Sequence, residues 1–217
     1  MKTNAIITAG GNSSRFGNKN KLLEKINGIE VIKYTVDAFR YSKVDKIIIC
    51  ANKSIMEELN RIFSDYTNVV IIEGGNTRQQ SVYNGLKYEE CDYVLIHDGA
   101  RPIITTELIN ICEEMVKEVK ALSVMTKTID TIKEVEHGKI VRTIDRSKLY
   151  NTQTPQAFEY SKILAAHKKF EGKNFTDDAG MLEEMGETVY VIDGSYRNIK
   201  ITTQSDIELA KVYLAQI

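Results

Sequence analysis

Gly10, Gly11, Asn12, Ser13, Ser14 and Gly17 crowd one short stretch of this 217-residue chain, and Arg15, Lys19 and Lys21 punctuate it. Small residues let main-chain N–H groups approach an anion closely, and cations add charge where those donors converge. The stretch follows an apolar run, Ala5-Ile6-Ile7, so it reads as a polyphosphate cradle at the end of a buried strand. The dinucleotide fingerprint Gly-x-Gly-x-x-Gly is missing, and no Gly-Lys-Ser/Thr makes it a P-loop. The alternative is a solvated basic loop after an edge strand. Two more polar segments stand in the same relation to an apolar run: Glu73-Gly74-Gly75-Asn76 after residues 68–72, and His97-Asp98-Gly99-Ala100-Arg101-Pro102 after residues 93–96.

The elements that would position these loops alternate. Residues 46–51 (KIIICA) form a continuous apolar run of the kind covered on both faces of a sheet. Ile32, Val36 and Phe39 recur at helical spacing, as do Met56, Leu59, Ile62 and Phe63. Thr77-Arg78-Gln79-Gln80 offers a capping box, with Val82 and Leu86 inward. Leu108, Cys112, Met115, Val116 and Val119 make one stripe of a longer helix. Strand and helix thus alternate four times, which predicts an α/β fold: a doubly wound, mostly parallel sheet. Such sheets bind ligands beyond the carboxyl ends of their strands, where all three polar loops fall.

The second half changes character. Residues 128–135 and 139–144 are β-prone runs flanking His137-Gly138, and their many charges suit a hairpin arm that leaves the core. The chain returns through Thr154-Pro155-Gln156-Ala157-Phe158 to an amphipathic helix at about 160–170. Asp177 and Asp178 mark another helix start, residues 189–192 and 199–201 read as the last strands, and Ser205-Asp206-Ile207-Glu208 caps a final helix with Leu209, Val212 and Tyr213 inward. A single domain, 1–217, with an arm at about 126–150, is the expected organisation.

Composition narrows the partners. Twenty-nine Lys and Arg balance 30 Asp and Glu, leaving a net charge of −1, so no broad nucleic-acid-binding surface is implied. Cys50, Cys91 and Cys112 form no C-x-x-C pair and read as small hydrophobes in a reducing compartment. His97, His137 and His167 are too scattered to suggest a metal site. With no apolar run of membrane-spanning length, the expectation is a soluble, cytoplasmic protein.

Eight short motifs occur in order. They are A-G-G-x-x-x-R from Ala9 to Arg15, G-G-x-x-R-x-x-S from Gly74 to Ser81, H-D-x-A-R-P from His97 to Pro102 and D-T-I-K from Asp130 to Lys133. Asp145-Arg146, T-P-Q at Thr154 to Gln156, T-D-D-A at Thr176 to Ala179, and N-I-K-I-T at Asn198 to Thr202 complete the set. Together they resemble the cytidylyltransferases that make CDP-methylerythritol or CDP-ribitol, which have a Rossmann-like nucleotide-diphospho-sugar transferase fold. The resemblance implies that a phosphate monoester attacks the α-phosphorus of CTP and pyrophosphate leaves. It implies catalytic roles for Arg15, Lys21, Arg146 and Lys200, with Lys19 the rival to Lys21 because the family's Pro-Lys-Gln stands here as Asn20-Lys21-Leu22. Ala9, Gly10, Gly11, Gly75, Asn76 and Ser81 would line the nucleotide site, Asn76 replacing the more usual Asp. Asp98, Arg101, Thr131 and Thr176 would hold the substrate, with Thr131 and Arg146 reaching in from a neighbouring subunit of a homodimer joined through the arm. Mg²⁺ would be held mainly by the CTP phosphates, with no protein metal site.

Each residue also has a plainer reading. Arg146 suits a charged hairpin surface, Asp98 could cap the turn beside Pro102, Lys200 could be the wet face of an edge strand, and Thr176 could be only a helix cap. Methylerythritol 4-phosphate is the first expectation for the acceptor. Ribitol 5-phosphate is the alternative, and a non-catalytic nucleotide-binding homologue is a further one.

Overall fold

Period-two alternation of apolar side chains decides the architecture. The structure, a computed structural model, describes residues 1–11, 16 and 20–216. β1 (Thr3–Ala9) is followed by a two-residue pair, β2 (Lys25–Ile26) and β3 (Ile29–Glu30), then α1 (Val31–Arg40), β4 (Lys46–Ala51), α2 (Met56–Ile62), β5 (Val69–Glu73), α3 (Arg78–Tyr88), β6 (Tyr93–Asp98) and α4 (Thr106–Val119). Successive strand residues point to opposite faces. Ile7, Ile47, Ile49 and Leu95 therefore pack with Val36, Phe39, Cys112 and Val116 on one side, while Ile6, Ile48, Val94 and Ile96 meet Val82, Leu86, Phe158 and Ile163 on the other. Each such side chain removed from water contributes about 1.5–3 kcal/mol.

After α4 come β7 (Ala121–Lys127), the arm strands β8 (Ile132–Glu136) and β9 (Lys139–Ile144), β10 (Tyr150–Glu159), α5 (Tyr160–Lys169), α6 (Ala179–Glu184), β11 (Tyr190–Asp193) and α7 (Gln204–Leu214). The seven-stranded sheet has the order β11-β7-β10-β6-β1-β4-β5. All its pairings are parallel except those of β10, which runs antiparallel to both β6 and β7. The expected doubly wound, mostly parallel sheet is what forms. The crevice between the carboxyl ends of β1 and β6 is its topological switch point.

Four expectations need correction. Neither β7 nor β10 was foreseen as a strand. The polar Ser123 and Thr126 interrupt the first, and Pro155 would break an ordinary ladder in the second. The ladder does break: the β10–β7 register shifts between Thr152 and Gln156. Residues 199–201 are not a strand. Ile201 donates one main-chain bond to Ala100 O (2.8 Å), and the apolar-Lys-apolar spacing only imitated a pleat. α7 starts earlier than expected, at Gln204, because Thr203 caps it with Asp206 at the third position; Ile207 and Ala210 face inward, while Leu209 and Val212 are exposed.

The arm forms as a separate two-stranded sheet turning at His137 (φ +49°) and Gly138 (φ +78°), the positive pair that a tight hairpin turn requires. Ile129, Val135, Ile140 and Val141 are exposed on or beside it. Among the described residues no helix is long and apolar enough to cross a membrane.

Candidate active site

Thr77 accepts a hydrogen bond from Gln80 N (3.0 Å) and starts α3 beside the end of β5, as the capping box predicted. The second half of that box departs slightly: Gln80 Oε1 accepts from Asn76 N (3.0 Å). This start aims the first turn of α3 at the loop after β1. Ser81, one turn in, is buried; its hydroxyl accepts from Gly75 N (3.0 Å) and donates to Thr77 O (2.9 Å). A Cβ on Gly10 would lie 3.0 Å from Ser81 Oγ, and one on Gly74 2.9 Å from it. Ser81 is thus the post against which both glycine loops close, and side chains at those glycines would separate them.

Together these loops and the end of β6 enclose a cavity of about 190 Å³ lined by Ala9, Gly10, Gly11, Lys21, Asn76, Arg78, Ser81, Asp98 and Lys200, among others. A second cavity, of about 350 Å³, shares Arg78, Asp98 and Lys200 and is lined further by Arg101, Gln153, Thr154, Thr176, Asp177 and Glu183. The two meet at Asp98. Its Oδ1 accepts from Arg78 Nε (3.1 Å) and Thr8 Oγ1 (3.3 Å); its Oδ2 lies 2.7 Å from Lys200 Nζ and 3.8 Å from Arg101 Nε. Burial pushes the Asp98 carboxyl up, but Arg78, Lys200 and Arg101 together outweigh it and hold the group well below the usual carboxylate range. It is an anion that orders three cations.

Arg78 is the other node. Its Nη1 donates to Asp178 Oδ2 (2.7 Å), so one guanidinium bridges two buried carboxylates. Burial alone would lower the Arg78 pKa; Asp178 and Asp98 reverse that and raise it. Arg101 also braces the main chain: Nη1 donates to Asn198 O (2.7 Å) and Nη2 to Thr152 O (3.5 Å). Nη1 thus fixes the segment that carries Lys200 and Nη2 reaches β10, while the residue also lines the second cavity. His97 is fully buried. The Thr154 hydroxyl, accepting from Asp98 N (3.1 Å), donates to His97 Nδ1 (3.0 Å), and His97 Nε2 faces Arg101 O (3.4 Å). Burial, with Arg101 adding to it, pushes His97 down to about 3, so it is a neutral spacer.

The structure therefore gathers Lys21, Lys200, Ala9, Gly10, Gly11, Asn76, Ser81 and Asp98 on one cavity, and Arg101 and Thr176 on its neighbour. Gly75 borders it through its N–H to Ser81. Arg15 and Lys19 lie outside the described residues. Thr131 and Arg146 line neither cavity: both are exposed on the arm, where Arg146 donates to Ile129 O. Sequence reasoning passed over Arg78, Asp178, Gln153 and Thr154 as site residues. The signal for Arg78 was present, an arginine in the first turn of a helix capped at a strand end. Its carboxylate partners, 20 and 100 residues away, were not legible.

The described residues contain no group of three His, Cys, Asp or Glu side chains able to hold a metal ion, and Asp98 is already shared among cations.

A switch-point crevice lined by glycines and by Lys21, Arg78 and Lys200 is suited to negative charge, and the fold is that of the nucleotidyltransferases. The model of the 2-C-methyl-D-erythritol 4-phosphate cytidylyltransferase family matches residues 3–216. The chain belongs to that family. A relative of that name from Bacillus licheniformis is 41% identical over 99% of this chain and 96% of its own length, and one from Clostridioides difficile is 38% identical over 96% and 92%. Among solved structures, the 4-diphosphocytidyl-2C-methyl-D-erythritol synthase of Anaerococcus prevotii superposes with a TM-score of 0.88 at 33% identity, covering 99% of this chain and 96% of that one. The 2-C-methyl-D-erythritol 4-phosphate cytidylyltransferase of Thermus thermophilus gives 0.84 at 26%, over the full length of both chains.

Proposed function

We propose that the cavity at Gly10 and Lys200 binds CTP and the neighbouring cavity binds 2-C-methyl-D-erythritol 4-phosphate, with the CMP moiety passing to that phosphate and pyrophosphate leaving. The observation that carries this is the convergence of Lys21, Arg78 and Lys200 on one cavity that opens onto another across Asp98.

A phosphate monoester is largely ionised at neutral pH, its second pKa being about 6, so the nucleophile needs no strong base. The barrier is electrostatic: two anions meet and further charge develops at the α-phosphate. Fixed cations and amides supply the remedy, because they cost no reorganisation as the reaction proceeds. Lys200, held by Asp98 at the boundary of the two cavities, is placed to span the attacking and attacked phosphates. Lys21, with the amides of Gly10 and Gly11, faces the triphosphate; Arg15 is proposed to join them. Asn76 and the main chain around Gly75, braced by Ser81, contact base and ribose. Thr176 and the β10 residues Gln153 and Thr154 line the polyol side. Magnesium, when bound through phosphate oxygens, would neutralise part of the triphosphate charge. Thr131 and Arg146 would grip the acceptor phosphate from a second subunit, the exposed apolar residues of the arm being its docking face; cytoplasmic residence belongs to the same reading.

Pyrophosphate release with CTP and either 2-C-methyl-D-erythritol 4-phosphate or D-ribitol 5-phosphate tests this. Turnover is expected with the first. Turnover confined to the second, or CTP binding with no turnover on either, would overturn it.

A further inference from the structure

Asp178 is completely buried at the start of α6, and its two oxygens are divided between Arg78 Nη1 (2.7 Å) and His167 Nε2 (3.1 Å). Both Asp178 oxygens accept, so His167 carries a hydrogen on Nε2. The His167 ring, buried on α5, stacks on Tyr83 of α3 at 6.0 Å between centroids and 8° between planes. A continuous chain of polar contacts thus runs from α5 to the reacting cations: His167, Asp178, Arg78, Asp98, Lys200.

We propose that His167 is a positioning residue for the cytidylyl transfer, setting through Asp178 how Arg78 is shared between Asp178 and Asp98. Arg78 is one cation facing two buried carboxylates. While His167 Nε2–H satisfies one oxygen of Asp178, a single bond from Nη1 satisfies the other, and Nε remains for Asp98. Without that N–H, a buried carboxylate oxygen loses its donor, a large penalty that the nearest cation relieves. Arg78 then turns both nitrogens onto Asp178 and leaves Asp98 Oδ1. Asp98 recentres on Lys200 and Arg101, and Lys200 is drawn from the boundary of the two cavities. The effect falls chiefly on the transition state, because the group displaced is Lys200, proposed to span the reacting phosphates, while His167 itself lines neither of those cavities.

The inference rests on the proposed reaction, and the experiment separates the two. Wild-type enzyme, His167→Gln, His167→Phe, Asp178→Asn and the double variant His167→Phe/Asp178→Asn are compared in the pyrophosphate assay. Gln keeps an N–H donor near the Nε2 position; Phe keeps the ring on Tyr83 and removes the donor. His167→Phe is expected to lower kcat about fivefold or more with KM for CTP within about twofold, the pattern of an interaction made in the transition state. His167→Gln is expected to retain most of kcat, and the double variant to be no worse than the poorer single one, because coupled residues are not additive. Nitrogen-15 NMR of the wild-type protein, which needs no variant to fold, is expected to show His167 as the Nε2–H tautomer. Normal kcat in His167→Phe, equal loss in Gln and Phe, multiplying losses in the double variant, or an Nδ1–H tautomer would each overturn the proposal. Wild-type protein inactive on methylerythritol phosphate would instead overturn the reaction assigned above.

Discussion

Lys200 Nζ lies 2.7 Å from Asp98 Oδ2, and Arg101, three residues past Asp98, clamps Asn198 O just before Lys200. The carboxylate fixes the tip of the lysine and the guanidinium fixes its main chain. A cation tethered at both ends is preorganised, so removing it should cost what the loss of one transition-state donor costs, about 10²–10³ in kcat. Steady-state kinetics of Lys200→Met should show that loss, with KM for CTP far less affected. Undiminished turnover would take Lys200 out of the mechanism.

Ser81→Ala should weaken CTP binding without abolishing folding. It leaves Gly75 N–H without its acceptor and the contact between the two glycine loops unfilled. A buried donor left unpaired costs about 1–3 kcal/mol, part of which appears as loosening of the loop that meets the nucleotide. Calorimetric titration with CTP should register a drop in affinity of about two- to twelvefold if half of that penalty falls on binding. An unchanged affinity would confine Ser81 to the helix cap.

Stability should decline on mild acidification, and His97 should be one cause. Burial first, then Arg101, lowers its folded-state value from 6.5 to about 3. Between those values the unfolded chain binds a proton that the native protein refuses, so unfolding becomes easier as pH falls, by about 1.4 kcal/mol per unit for this one group. Asp98 and Asp178 are lowered carboxylates. Their contribution is intact above their ordinary values near 4 and is lost only as pH falls further, so they add no slope between pH 6 and 5. Denaturant unfolding at those two pH values should show the decline in the wild-type protein, and His97→Gln should flatten it. Equal slopes in both would place a proton on native His97.

Mixing subunits tests whether the arm works across a dimer. Arg146→Ala and Lys200→Ala should each be nearly inactive alone. If one protomer's arm completes its partner's cleft, randomly mixed chains recover about a quarter of wild-type activity, since half the dimers are mixed and each holds one intact site. An arm serving its own cleft would give no recovery.

The half of the fold built from consecutive βα units was legible because each element carried its own period and cap. Residues 46–51 and Thr77 could be read from a few neighbours. β7 and β10 were not legible, because β10 is held by partners rather than propensity: Gln156 donates to Ser123 Oγ and Asp177 and accepts from Asp178 N, bonds spanning 21 to 33 residues. In the site, the glycine loops and Asp98 announced themselves by following apolar runs. The motif put Arg101 beside Asp98, but only the folded chain shows two of its nitrogens on the main chain of Asn198 and Thr152. Lys200 lies in a segment that imitates a strand and is exposed as that alternation suggests, but its tether to Asp98 was not legible.

β10 leaves the foot of the arm at Tyr150, supplies Thr152, Gln153 and Thr154 to the second cavity, and ends as an antiparallel strand between β7 and β6. One strand therefore joins the foot of the arm to the floor of that cavity. A force applied to the arm would be felt first at Thr152, Gln153 and Thr154.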